Sequence, residues 1–182
     1  VAGTTGYQFL NLVSGLFIDG RHAKRLRRIY TRVTGHQETF DQVAYTSKRT
    51  IMLTAMASEL NVLAHALNKI SERDRRHRDF TLNSCRVVLR EVIANFPVYR
   101  TYISQRGVDE FDRGALTTAI GHARRRNPLM EASIFEFLEE VLLTPFDAES
   151  ADDPAARERL QFAMKMQQFT SPVMAKGTED TA

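Results

Sequence analysis

Seven polar residues recur at steps of three and four along one stretch of the chain: Thr50, Thr54, Ser58, Asn61, His65, Asn68 and Glu72. With His65 neutral, only Glu72 carries charge. Solvated helix faces usually carry Lys and Glu, so a neutral line predicts burial against hydrogen-bonding partners. Two roles fit. One is a polar seam between packed helices, with His65 satisfied in the interior. The other is a face turned toward a sugar, because Asn, His and Thr groups both donate and accept and so match hydroxyl ligands. Asn61 and His65 are the contacts this second role nominates.

A further polar group closes the chain, in VMAKGTEDTA, with Lys176, Glu179 and Asp180. A glycosidase needs two carboxylates flanking the bond. Glu179 and Asp180 do not supply that pair. In an extended chain, neighbouring side chains point opposite ways, and only one of the two can face a given site. FPVYRTY (Phe96 to Tyr102) brings Tyr99, Arg100 and Tyr102 together after a helix stop. Such residues line sugar or phosphate sites, or simply seal a loop. GTTG (Gly3 to Gly6) lacks the G-K-[ST] of a P-loop and a full GxGxxG. No His, Cys, Asp or Glu cluster has metal-ligand spacing and H-E-x-x-H is absent, so no metal and no cofactor is expected. The single cysteine, Cys85, excludes an internal disulfide and reads as a small buried hydrophobe.

Composition agrees with a globular chain: 182 residues, 43% apolar and 26% charged. Its apolar runs are far too short for a membrane span, so no membrane association is expected. Net charge is only +3, yet the cations cluster in RHAKRLRR (Arg21 to Arg28), RDRRHR (Arg73 to Arg78) and RRR (Arg124 to Arg126). These runs raise a rival reading, a basic helical module that binds nucleic acid. No aromatic interleaving or nucleic-acid motif accompanies them, and a solvated basic face explains them without a nucleic-acid partner.

The elements that must position these groups are helical. The pattern predicts an all-α chain of about seven helices: 6–17, 20–33, 39–73 with a break near 47–50, 82–96, 108–126, 133–143 and 154–169. Phe9, Leu12, Val13, Leu16 and Phe17 form the apolar side of the first. Leu26, Ile29, Tyr30 and Val33 form the buried stripe of the second. Met56, Leu60, Leu63, Leu67 and Ile70 make a core seam beside the polar line. Thr81 and Asp153 are N-caps, the latter followed by Pro154 at the first helical position. Residues 144–153 read as a surface loop. Two pieces, Val98 to Ile103 and Pro172 to Ala175, read as strands without partners.

In their order and spacing, GTTGYQFLN, SKRTIM, ASELNVLAHALN, ERDRRHRDFTLN, FPVYRTY, ARRRNP and QQFTSPVMAKGTEDTA together resemble maltooligosyl trehalose synthase, of the α-amylase superfamily. The resemblance runs through the whole chain. It implies a (β/α)8 barrel carrying a large helical insertion, and a retaining transglucosylation within one maltooligosaccharide. The reducing-end α-1,4 bond becomes an α,α-1,1 bond, and a partner trehalohydrolase then releases trehalose. Implied too are a cytoplasmic location and three segments: 1–19 at the barrel edge, 20–169 as the insertion, and 170–182 returning to a barrel strand.

By the resemblance, Asp180 matches the second catalytic aspartate, with Lys176 and Glu179 beside it. Tyr7, Arg100 and Gln168 are the other substrate contacts. The aspartate nucleophile and glutamate acid/base lie before Val1, so the chain alone is expected to be inactive. Gln8 stands where the family usually has an acid, Ser171 where it has glycine and Thr178 where it has valine. The aromatic-rich segment that normally follows EDTA is missing.

Overall fold

The computed structural model describes residues 7–144 and 153–182. Eight helices run through them, and the all-α expectation holds. The GTTG segment lies outside the described residues, as does nearly all of the loop expected at 144–153. The chain divides into two compact units, Val1–Thr39 and Phe40–Ala182.

The first unit holds α1 (Tyr7–Phe17), a 3-10 turn (Gly20–His22) and α2 (Ala23–Thr34). Asp19 caps the turn, its Oδ1 accepting from the Arg21 amide at 3.0 Å. Gly35 takes a left-handed φ of 75° and returns its amide to the Thr31 carbonyl, ending α2 as a C-terminal glycine does. The expected burial is not found. Phe9, Leu12, Leu16 and Phe17 are exposed, as are Leu26, Ile29, Tyr30 and Val33. The periodicity was real, but two short helices lack the mass to close a core of their own.

The second unit is built on α3 (Phe40–Leu53), α4 (Ala57–Arg73), α5 (Leu82–Ala94), α6 (Glu110–Arg126), α7 (Ala132–Leu143) and α8 (Pro154–Met174). Helix α5 packs against α3, α4, α6 and α7, and α8 packs along α4. The core joins Leu60, Leu63 and Leu67 of α4 to Val88, Leu89 and Val92 of α5, Phe135 and Leu138 of α7, and Phe162 and Met166 of α8. The whole expected α4 seam is buried.

The long helical stretch bends by 83° between α3 and α4, and the break falls at residues 54–56, not 47–50. Two threonines drive the chain off its axis there. Thr50 Oγ1 bonds the Thr46 carbonyl at 3.0 Å and Thr54 Oγ1 the Thr50 carbonyl at 2.8 Å, a back-bonding that bends helices. The Met56 amide then reaches back five residues to Ile51. No single helix among the described residues is long and apolar enough to cross a membrane. The α3–α4 pair passes that test only as a bent pair.

Neither expected strand forms. Residues 98–103 take no regular structure, and a side chain meets their backbone where a partner strand was expected. Gln167 accepts from the Ile103 amide at 2.8 Å and donates to the Ile103 carbonyl at 2.9 Å. Asp112 accepts from the Tyr102 amide at 2.7 Å. Pro172 to Met174 belong to α8, and Ala175 opens a π turn that runs to Glu179. With no strand beside it, this segment can meet its backbone groups only within a helix.

Candidate functional site

The C-terminal turn Ala175–Glu179 packs on α3 and α8. It is seated through Gly177, which is buried against Lys48; a Cβ at that position would meet the Lys48 Cα at 2.8 Å. Lys48 is itself 6% exposed, and its Nζ donates to the Phe96 carbonyl at 3.1 Å, just past the end of α5. Burial lowers its pKa. Three segments far apart in sequence therefore meet at one lysine: SKRTIM on α3, the start of FPVYRTY, and AKGTED.

A buried carboxylate on α5 gathers one of those segments, SKRTIM, with a fourth, ARRRNP. Glu91 is 1% exposed. It accepts from Tyr45 Oη at 2.6 Å, Arg90 Nε at 3.1 Å and Asn127 Nδ2 at 3.2 Å, and pairs with Arg49 Nε at 3.2 Å. Burial pushes its pKa up. The Tyr45 and Asn127 hydrogen bonds, the Arg49 charge and the Arg90 bond outweigh that push and hold it below the usual carboxylate range. The Tyr45 hydroxyl is shifted the opposite way, by burial first and then by its bond to Glu91. The Arg126 guanidinium stacks 4.2 Å over the Tyr45 ring. Arg49 thus ties SKRTIM, and Asn127 ties ARRRNP, to one ionised acid in α5.

The nominated residues fall in several places. Lys176, Glu179 and Asp180 are exposed together on the terminal turn. Asp180 donates its amide to the Ala175 carbonyl at 3.1 Å, and Thr181 Oγ1 closes the turn on the Lys176 carbonyl at 2.6 Å. Gln168 is exposed on α8. Arg100 is half-buried; its guanidinium lies 4.8 Å over the Tyr102 ring and its Nε donates to the Thr101 carbonyl at 3.3 Å. Tyr7 opens α1, in the other unit, and its side chain lies outside the described residues.

Asn61 and His65 stand exposed on α4. This corrects the burial predicted for the polar line. Thr50, Thr54, Ser58 and Glu72 are exposed with them, and Asn68, half-buried, donates only to Glu72, at 2.6 Å. Neutral composition did not mean burial, because the adjoining apolar seam already supplies the face that α4 turns to the core. His65 is not an interior histidine.

Cys85 is fully buried, and burial pushes its thiol up to about 11, as a packing residue should be. No group of three or more potential metal ligands occurs among the described residues. The basic runs differ in kind. Lys24, Arg25, Arg27, Arg28 and Arg32 are exposed on α2. Arg73 pairs with Glu158, and Arg76 with Glu140 at 3.1 Å. The second half of the proposed nucleic-acid footprint is thus partly neutralised from within.

Lys48, Glu91, Gln167 and Gly177 are the residues that sequence reasoning passed over. Two had a signal. Glu91 is a lone acid on the apolar face of VVLREVI, and Gln167 follows Ala163 by four in α8. Gly177 and Lys48 had none, because each is explained only by the other.

Comparison with family models, with curated proteins and with solved structures returned no match.

Proposed function

We propose that this chain is the helical insertion and adjoining active-site edge of a maltooligosyl trehalose synthase. The parent enzyme converts the reducing-end α-1,4 bond of a maltooligosaccharide into an α,α-1,1 bond by intramolecular transglucosylation. The observation that carries the reading is the meeting at Lys48. SKRTIM, FPVYRTY and the AKGTED end of the chain are among the segments that carry the likeness, and they converge on one buried lysine beside the exposed Lys176, Glu179 and Asp180.

On this reading Asp180 holds and distorts the sugar at the cleaved bond, and Lys176 and Glu179 bind neighbouring hydroxyls. The terminal turn is held by its seat on α3, so the three side chains share one fixed platform. The helical unit walls the reducing-end side of the cleft. Released glucose must be held there while water is kept out, since water entry gives hydrolysis instead of transfer. The helical form of residues 172–174 departs from the family's returning strand. The nucleophile and acid/base come from the rest of the parent, in the cytoplasm, with a trehalohydrolase acting next.

The test is Asp180→Asn in the intact parent, assayed by conversion of maltopentaose to a non-reducing product. Conversion is expected to collapse while the fold is retained, and the 182-residue chain alone is expected to convert none. A near-normal rate in the Asp180→Asn parent overturns the assignment.

A further inference from the structure

The C-terminal end of α4, helix α7 and the start of α8 line an open cleft of about 470 Å³, within the range that holds small ligands. None of the residues discussed for transglucosylation lines it. Its apolar lining is Ile70 and Ala155 over the buried Phe137 and Val141, and its charged lining is four arginines, Arg73, Arg75, Arg76 and Arg159, with Asp74, Glu140 and Glu158. The acids around it are already engaged. Glu158 takes Arg73 and, at 3.1 Å, Lys69. Glu140 takes Arg76 at 3.1 Å, and Asp74 takes Arg76 at 3.4 Å and His77 at 2.7 Å.

Two cations are left over. Arg75 and Arg159 have no acid among the described residues, and the Arg159 Nε is buried without any acceptor. Folded proteins rarely leave a buried donor unmet, because its desolvation is not recovered. A guanidinium presents a planar fork of donors that fits the oxygens of a phosphate or carboxylate. Ile70 and Ala155 supply accessible apolar surface beside those donors.

We propose that this cleft binds a small oxyanion on an apolar body, with Arg159 and Arg75 gripping the anionic group and Ile70, Ala155 and the aliphatic stems of the arginines lying beside the body. The site is separate from the Lys48 region and does not depend on how that region is read.

The experiment titrates the 182-residue chain with phenyl phosphate, benzoate, inorganic phosphate and phenol by calorimetry, at constant ionic strength. Saturable binding of phenyl phosphate or benzoate is expected, with phenol inert and inorganic phosphate weaker. Whichever of the two binds more tightly tells a phosphate ligand from a carboxylate one. Arg159→Gln is expected to weaken that binding by about tenfold or more, as loss of a charged hydrogen bond does. Arg25→Gln, which removes an equally cationic residue from α2, is expected to leave it unchanged. If Arg159→Gln loses its helical circular dichroism, the exposed Arg75→Gln carries the same comparison. Absence of saturable binding overturns the proposal. So does binding that survives the cleft variants, or that falls equally in Arg25→Gln.

Discussion

Replacing Gly177 by alanine adds one methyl group in the least forgiving place of the terminal turn. The new Cβ would lie 2.8 Å from the Lys48 Cα, 2.8 Å from its Cγ and 3.0 Å from its amide nitrogen. Two of those atoms are backbone within α3, and the side chain is tethered to the Phe96 carbonyl, so the turn has to move instead. Overpacking of this kind costs about 1–3 kcal/mol. For a unit of this size that lowers the melting temperature by about 3–10 °C. Gly114→Ala is the matched control. Gly114 is also helical, within α6, but nothing lies within 4 Å of its added Cβ. The same chemical change should there stabilise by about 0.4–1 kcal/mol. Thermal unfolding followed by circular dichroism reads both, and amide exchange over residues 175–179 reads the turn itself. In the parent enzyme, Gly177→Ala should also slow transfer, because Lys176, Glu179 and Asp180 ride on the displaced turn. A Gly177→Ala chain that melts at or above the parent temperature with unchanged exchange refutes the seating of the turn on Lys48.

Glu91→Gln should destabilise the helical unit by about 2–4 kcal/mol in urea unfolding, since it strands Arg49 and Arg90 and weakens three hydrogen bonds; a loss below about 1 kcal/mol would show that the pairing adds little. Asp74 accepts from the Arg76 amide at 2.9 Å, and with help from His77 and the Arg76 side chain its pKa is held down at about 2. A carboxylate depressed in the folded state stabilises above its unfolded pKa, so this contribution is complete above about pH 4 and is lost as pH falls toward about 2. Because the group is partly exposed, the loss is about 1 kcal/mol. Stability measured against pH should therefore fall less steeply in Asp74→Asn than in the parent over that interval, and parallel curves would contradict the assignment.

Local chemistry set much of this molecule before any contact was known. Thr81 and Asp153 accept from the first amides of α5 and α8 as caps, and Gly35 closes α2, since capping needs only neighbours in sequence. The apolar spacing of Met56, Leu60, Leu63, Leu67 and Ile70 named the buried side of α4, because a helix maps a period of 3.6 onto one face. Tertiary structure decided the rest. Whether an apolar stripe is covered depends on mass brought from elsewhere, which the first unit lacks, so α1 and α2 carry their stripes exposed. Whether a neutral polar line is buried depends on what packs against it, and on α4 most of that line is exposed. Residues 172–174 are helical because a strand needs a neighbour and a helix does not. Gly177 and Lys48, and Glu91 with Asn127, are pairs distant in sequence whose meaning lies in their contact. No periodicity encodes such a contact, because it exists only once the helices have docked.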